Sequence, residues 1–328
     1  MWSSNAISLQ LQSDNIVLLG TCESASGQVL RGAVTLNIHS RTKISSISMT
    51  FQGVASTMNS KQENDVFFQK EFEFLRAVEE TKEFLPGQYK YHFEIPLPGD
   101  LPESIHSSLS HIRYTATTIA KRGGLAKNLK DKKEVNVQRL SRNASASEQQ
   151  SLVRFGELES ELMFCIFASS TSYHPGTDIP IKVGIKSLKP NSRISKVYAS
   201  LHEVIKCPTQ DGKMKCKATK IRETVSNWNT EIHGGMWIQP MVLLANKRSK
   251  RIHANRHNHY VSVHHELTVT ITLHQPENIR KRVMIRTSLR FVAAETVEIA
   301  NSLPCYEQSL EDPPCYDSVT VYPQQFLQ

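Results

Sequence analysis

The sequence predicts an all-β fold: two tandem immunoglobulin-like β-sandwich domains followed by a flexible C-terminal tail. Three observations predict it. Hydrophobic residues recur at every second position in run after run, the period of a strand with one face in a core rather than of an amphipathic helix. The strand-rich stretches fall into two halves around residues 141–151, SRNASASEQQS, which hold no apolar side chain larger than alanine and read as a linker. The chain then changes character after Arg290, where Lys and Arg cease and paired prolines appear.

Taken in order, Val34, Leu36 and Ile38 alternate with Thr35, Asn37 and His39, and Ile47, Met49 and Phe51 alternate with polar neighbours before ending at Gly53. Phe72 and Phe74, then Tyr89, Tyr91, Phe93 and Ile95, then Ile112, Tyr114 and Ala116 continue the pattern. In the second half Leu162, Phe164 and Ile166 alternate; Ile179, Ile181, Val183 and Ile185 follow a turn at His174-Pro175-Gly176; Val197, Ala199 and Leu201 come next. The longest run puts Val261, Val263, His265, Leu267, Val269, Ile271 and Leu273 on one face. The expected divisions are an N-terminal segment 1–16, a first domain 17–140, the linker 141–151, a second domain 152–300 and an acidic tail 301–328. Both domains fall in the usual size range for a sandwich.

Composition narrows the function. At 328 residues with 39% hydrophobic content the chain is long enough for two sizeable cores. No apolar run approaches the roughly 20 residues that span a bilayer, and the start lacks a charged segment followed by an apolar one, so an intracellular, cytoplasmic location is expected. Six cysteines without CxxC spacing read as reduced thiols. There is no GxSxG elbow, HExxH, phosphate-binding Gly-rich loop or dinucleotide fingerprint, so neither an enzyme nor a cofactor is expected. Nucleic acid is not expected either, because the basic runs lack the interleaved aromatics that stack bases.

The net charge of +8 conceals a division. Six acids follow Arg290 with no base among them, so the preceding body is +14. That tail holds Pro313-Pro314-Cys315-Tyr316, a PPxY motif, and ten residues earlier the variant Leu303-Pro304-Cys305-Tyr306. Proline fixes φ near polyproline II, which places Pro313 and Tyr316 on one edge of a left-handed helix of three residues per turn. WW domains read that edge, and the prolines lose little chain entropy on docking. The motif residues are therefore Pro313, Pro314 and Tyr316, with Leu303, Pro304 and Tyr306 as a second, weaker site.

Three basic clusters lie in the body: Lys121, Arg122, Lys127, Lys130, Lys132 and Lys133; Lys213, Lys215, Lys217, Lys220 and Arg222; and Lys247, Arg248, Lys250 and Arg251. Each reads either as a solvated loop or as a surface for acidic partners, and the last is the candidate patch for an acidic protein segment or an anionic membrane surface. His253, His257 and His259 cluster without cysteine or carboxylate companions, so no metal site is expected, and His265 reads as a core histidine.

The order of these blocks resembles a known family. GQVLRGAVTLNIHSRTKISSISMTFQGVAS (27–56) resembles the opening strands of arrestin N-domains, where a Φ-x-Φ-x-G pattern closes a strand pair. LPGQYKYHFEIPLPGDLPESI (85–105) with IRYTATTIAKR (112–122) looks like the most distinctive block of the α-arrestins, the arrestin-domain-containing trafficking adaptors. Residues 173–205 and 260–271 resemble the family's C-domain. The resemblance implies two arrestin-type sandwiches that hold a plasma-membrane transporter or receptor while the PPxY tail recruits a WW-domain HECT-type E3 ubiquitin ligase. Cargo is then ubiquitinated, endocytosed and sorted, with the adaptor recruited peripherally to plasma membrane, endosomes or Golgi. The adaptor is often itself ubiquitinated, which makes Lys121, Lys127, Lys130, Lys132 and Lys133 candidate acceptors. The alternative from the same fold is a retromer-type scaffold, which has no use for PPxY.

Overall fold

The computed structural model describes residues 4–57, 64–76, 81–123, 126–140, 150–158, 162–188, 193–209, 211–231, 235–245, 252–274 and 279–292. They form twenty strands and no helix. The first ten are β1 (Ala6–Leu11), β2 (Asn15–Leu19), β3 (Gln28–Ile38), β4 (Thr42–Thr57), β5 (Asn64–Leu75), β6 (Lys82–Phe84), β7 (Gly87–Leu97), β8 (Ile105–His106), β9 (Ser110–Arg122) and β10 (Leu129–Leu140). The second ten are β11 (Leu152–Leu158), β12 (Leu162–Ala168), β13 (Ser172–Tyr173), β14 (Ile179–Ser187), β15 (Arg193–Pro208), β16 (Met214–Glu231), β17 (Trp237–Leu243), β18 (Arg256–His257), β19 (Ser262–His274) and β20 (Arg280–Phe291).

The four sheets make two sandwich-like bodies with one wiring used twice. In the first body the sheets run β1-β3-β7 and β2-β10-β9-β4-β5, with β6 added on β4 and β8 on β9. In the second, β12-β14-β17 and β13-β20-β19-β15-β16 repeat those orders, β18 stands on β19 as β8 does on β9, and β11 is an extra edge beyond β12. The pairings are antiparallel except β2 with β10 and β13 with β20, which occupy equivalent places in the two bodies. Residues 6–19 thus contribute β1 and β2 to the first body.

Strand periodicity explains which faces close on each other. Val34, Leu36, Ile38, Ile47, Met49, Phe51, Ile112, Tyr114 and Ala116 are all buried in the first core. In the second half every residue of the 261–273 alternation is buried, His265 completely. Each buried aliphatic or aromatic side chain stabilises by about 1.5–3 kcal/mol. Exposed ion pairs such as Arg31 with Glu94 each contribute at most about 1 kcal/mol, so the cores decide the fold. The two cores are not wholly separate: Ile205 and Cys207 of β15, Val261 just before β19 and Val263 on it pack into the first body's cluster. Both bodies fall within one compact unit.

The glycine that ends the Φ-x-Φ-x-G pattern has a steric reason. A Cβ on Gly53 would stand 2.7 Å from the Phe67 ring and 2.8 Å from that of Tyr114. Real Cβ atoms do not approach so closely, and both rings are held by other rings. Phe51 stacks on Tyr114 at 5.9 Å between centroids, and Phe67 meets Tyr114 edge-on at 5.5 Å. Gly53→Val is expected to lower stability by about 1–3 kcal/mol through overpacking, read as a lower urea midpoint at unchanged slope.

Candidate functional site

The sequence-predicted binding residues fall in different places. Pro313, Pro314 and Tyr316, Leu303, Pro304 and Tyr306, and the patch Lys247, Arg248, Lys250 and Arg251 lie outside the described residues, as do linker positions 141–149. Lys121, Lys127, Lys130, Lys132 and Lys133 are described, and all five are exposed. Lys121 is the last residue but one of β9, and Lys130 and Lys132 pair across from Ile119 and Thr117 of the same strand. Alternation therefore puts Lys121, Lys130 and Lys132 on one face of that sheet and Lys133 on the other. Asp131, between them, points the opposite way and accepts the Leu9 backbone N–H at 2.7 Å.

The second basic cluster is a strand and not a loop. Lys215, Lys217, Lys220 and Arg222 all lie on β16, an edge strand. Arg222 is buried and donates to the Thr177 and Pro175 carbonyls, the latter at 2.7 Å, so it ties the turn before β14 to this sheet. On the outer face of the sheet, Lys196 and Lys220 each sit 5.9 Å from the Tyr198 ring. Glu223 takes the Tyr198 hydroxyl and the Lys220 ammonium, and Arg286 pairs with Glu266 at 3.4 Å.

The joint between the two bodies is the most organised polar site; the sequence singles out Tyr114, His253 and His265 only separately and gives no sign of Arg139 or Arg256. Arg139, on β10, donates to the carbonyls of Gly99 and Leu101 at 2.8 Å each and to Thr21 at 3.0 Å. Tyr114 donates to the Pro102 carbonyl at 2.6 Å. Burial pushes the Tyr114 phenol strongly up, so it remains a donor. These contacts pin the segment leading to β8, and the second body grips that segment. Arg256 donates to the Ser104 carbonyl at 2.8 Å, and His253 Nε2 stands 3.1 Å from the His106 carbonyl oxygen. Tyr260 adds a ring contact to Phe67 at 5.3 Å and donates to Asp65 at 3.0 Å. Burial, and then the bond to Asp65, push its hydroxyl up to about 12.

Glu203 is the hub. It sits on the inward face of β15, in register with His265 of β19. Its Oε2 accepts the His253 backbone N–H at 2.9 Å and lies 3.0 Å from His253 Nδ1 and 3.5 Å from His265 Nε2. Burial alone would raise this carboxyl, but the interactions with His253 and His265 outweigh it and bring it to about 2. His265 Nδ1 is 2.7 Å from Asn255 Oδ1, and that oxygen also accepts the Phe291 N–H at 2.8 Å. An oxygen already serving as acceptor makes Nδ1 the donor, so His265 is a core histidine satisfied on that side. The available signal was Glu203 itself, a carboxylate on the apolar parity of Val197, Ala199 and Leu201. Among the described residues no group of three or more His, Cys, Asp or Glu side chains is arranged to hold a metal, and no helix is long and apolar enough to cross a membrane.

Comparison with known proteins agrees with this architecture. The family model of the arrestin (or S-antigen) N-terminal domain matches residues 24–142. An arrestin domain-containing protein of Schizosaccharomyces pombe is 24% identical over 239 residues, 69% of this chain and 40% of that protein. A putative arrestin-related trafficking adapter of the same yeast is 24% identical over 253 residues, 69% of this chain and 38% of the relative. The chain thus spans about 40% of the length of the curated relatives it matches.

A buried carboxylate with a depressed folded-state value stabilises fully above its unfolded value, about 4.5 here, and loses that contribution as pH falls through about 2. Glu203→Ala is expected to cost about 1–3 kcal/mol at neutral pH, because it leaves the His253 N–H without its acceptor. The gap between wild type and variant should narrow between about pH 4.5 and 2. Urea unfolding across that range checks both sign and window.

Proposed function

We propose that this chain, which carries an arrestin N-terminal domain over residues 24–142, is an α-arrestin-type adaptor. Its two sandwiches bind a plasma-membrane transporter or receptor, and its tail recruits a WW-domain HECT-type ubiquitin ligase through Pro313, Pro314 and Tyr316. Cargo ubiquitination, endocytosis and sorting follow. The role is non-catalytic, with ubiquitin supplied by the ligase.

The observation that carries the reading is a PPxY motif that follows, in the sequence, two sandwich-like bodies, the first of them matched by the arrestin N-terminal domain. The similarity to a putative arrestin-related trafficking adapter supports the trafficking role. A polyproline segment presents Pro313 and Tyr316 to an aromatic groove with little entropy left to lose. Leu303, Pro304 and Tyr306 add avidity where the ligase offers two WW domains within reach. The exposed Lys121, Lys130 and Lys132, grouped on one sheet face, are the acceptors we favour for modification of the adaptor, with Lys127 and Lys133 beside them.

Two outcomes are expected. Tyr316→Ala or Pro314→Ala abolishes ligase binding in co-purification and leaves cargo at the cell surface, whereas undiminished binding after Tyr306→Ala and Tyr316→Ala together removes the mechanism. Reversing Lys247, Arg248, Lys250 and Arg251 to glutamate weakens cargo or anionic-liposome association with WW binding intact. If association is unchanged, that cluster serves only solubility.

A further inference from the structure

The equivalent small sheets of the two bodies present opposite outer faces. In the first, cross-strand rows read Ser8–Thr35–Lys90 and Gln10–Ala33–His92, polar at both edges with Thr35 and Ala33 shielded between them, and Arg31 pairs with Glu94. In the second, the row across β11, β12, β14 and β17 is Val153–Phe167–Lys182–Pro240, and the next is Phe155–Cys165–Gly184–Ile238. Phe155 is 76% exposed and Ile238 59%, with Val153, Met163 and Val242 also open. The sequence of β12, LMFCIFA, is apolar on both parities, the signature of a strand covered on both faces. Four strands about 4.8 Å apart and six residues long give a whole face of about 400 Å², its charged residues included, comparable with the largest patch of an ordinary monomer, which is often a functional one.

We propose that this outer face of the β11-β12-β14-β17 sheet docks an amphipathic helix of a partner protein, with acidic residues flanking its apolar stripe. The proposal does not depend on the reading of the tail. The charge of the face selects the partner. Lys182 and Lys186 rise from β14, and neither forms an ion pair among the described residues; Lys182 lies 5.9 Å from the Phe167 ring. The acid on these rows, Glu157, stands two strands from Lys186 beyond Met163. Four strand residues separate the lysines by about 13 Å, which acidic side chains two helical turns apart, about 11 Å, can meet. Between them Gly184 carries no side chain and Met236 lies over it, its Sδ 3.1 Å from where a Cβ would stand, a flexible cover able to adapt to an incoming side chain.

Other occupants fit less well. An extended peptide laid on this face buries N–H and C=O groups with nothing to satisfy them, whereas a helix satisfies its own. A second copy related by a twofold axis sets the lysines of one face against those of the other, and about 400 Å² per partner is half of a standard stable interface. A bilayer meets cations best at the rim of an apolar patch, but Lys182 stands inside it, between Phe167 and Pro240.

The test uses the full chain and an 18-residue synthetic helix of Leu and Ala with Glu two turns apart on one flank, against the same peptide with Lys in place of Glu. Fluorescence anisotropy is expected to show binding of the Glu peptide over the Lys peptide. Phe155→Asp or Ile238→Asp should each weaken it by about tenfold or more with unchanged thermal unfolding, since both side chains are exposed. Lys182→Glu with Lys186→Glu should transfer the preference to the Lys peptide, which a misfolded variant cannot do. Equal binding of both peptides, or of neither, overturns the proposal. So does an outcome in which Phe155→Asp abolishes only binding to phosphatidylserine vesicles, or only a dimer seen by sedimentation.

Discussion

The constraint on which the rest of the molecule depends is that strands of the second sandwich complete the core of the first. Ile205 and Cys207 near the end of β15, Val261 just before β19 and Val263 at its start pack into the first body's cluster. A strand that leaves one core and enters another carries its alternating faces with it, so whatever stands between the two cores on the inward parity must also be buried. On β15 that residue is Glu203, and on β19, directly in register, it is His265. A buried carboxylate is tolerated only with partners. The chain supplies them from the segment around β18, where His253 and Asn255 reach back to Glu203 and His265. That same segment meets the first body through His253 and Arg256. Apolar continuity and polar satisfaction are thus one structural requirement, met by one stretch of chain.

The joint is held largely through the backbone. Arg139 and Tyr114 hold the segment before β8 through backbone carbonyls, and backbone contacts are indifferent to the side chains around them. Surfaces can therefore differ widely between the two bodies while the joint stays the same. The polar outer face of β1-β3-β7 and the apolar one of β11-β12-β14-β17 show how far they differ within one chain.

Much of the fold was legible because period-two alternation is a direct record of burial. The run ending at Leu273 was read residue by residue, His265 included, since every inward position lay between apolar neighbours. What alternation cannot record is who pairs with whom. The parallel pairings of β2 with β10 and β13 with β20 leave no mark in either strand alone. β16 escaped for a different reason: an edge strand reaching past its sandwich needs no apolar face there, so its lysines read as a basic cluster. The joint was illegible because its members, Arg139, Glu203, His253 and Tyr260, are far apart in sequence and polar singly. Glu203 on an apolar parity was the one local sign, and its meaning required the register with β19.

Duplication explains why the informative surfaces lie where the two bodies differ. With the same strand order used twice, core positions in both halves answer to the same packing rules, and β12, β14 and β17 must bury the same inward parity as β1, β3 and β7. The outward parity is free of that demand. When it nevertheless turns apolar in one copy, with two cations on the central strand β14 and an added edge in β11, no requirement of the sandwich itself accounts for it. Phe155 contributes little to a core it does not enter, and a large exposed aromatic favours aggregation unless something covers it. The outer face of the second small sheet therefore answers to a partner and not to the fold, and its lysines fix the sign of charge that partner must carry.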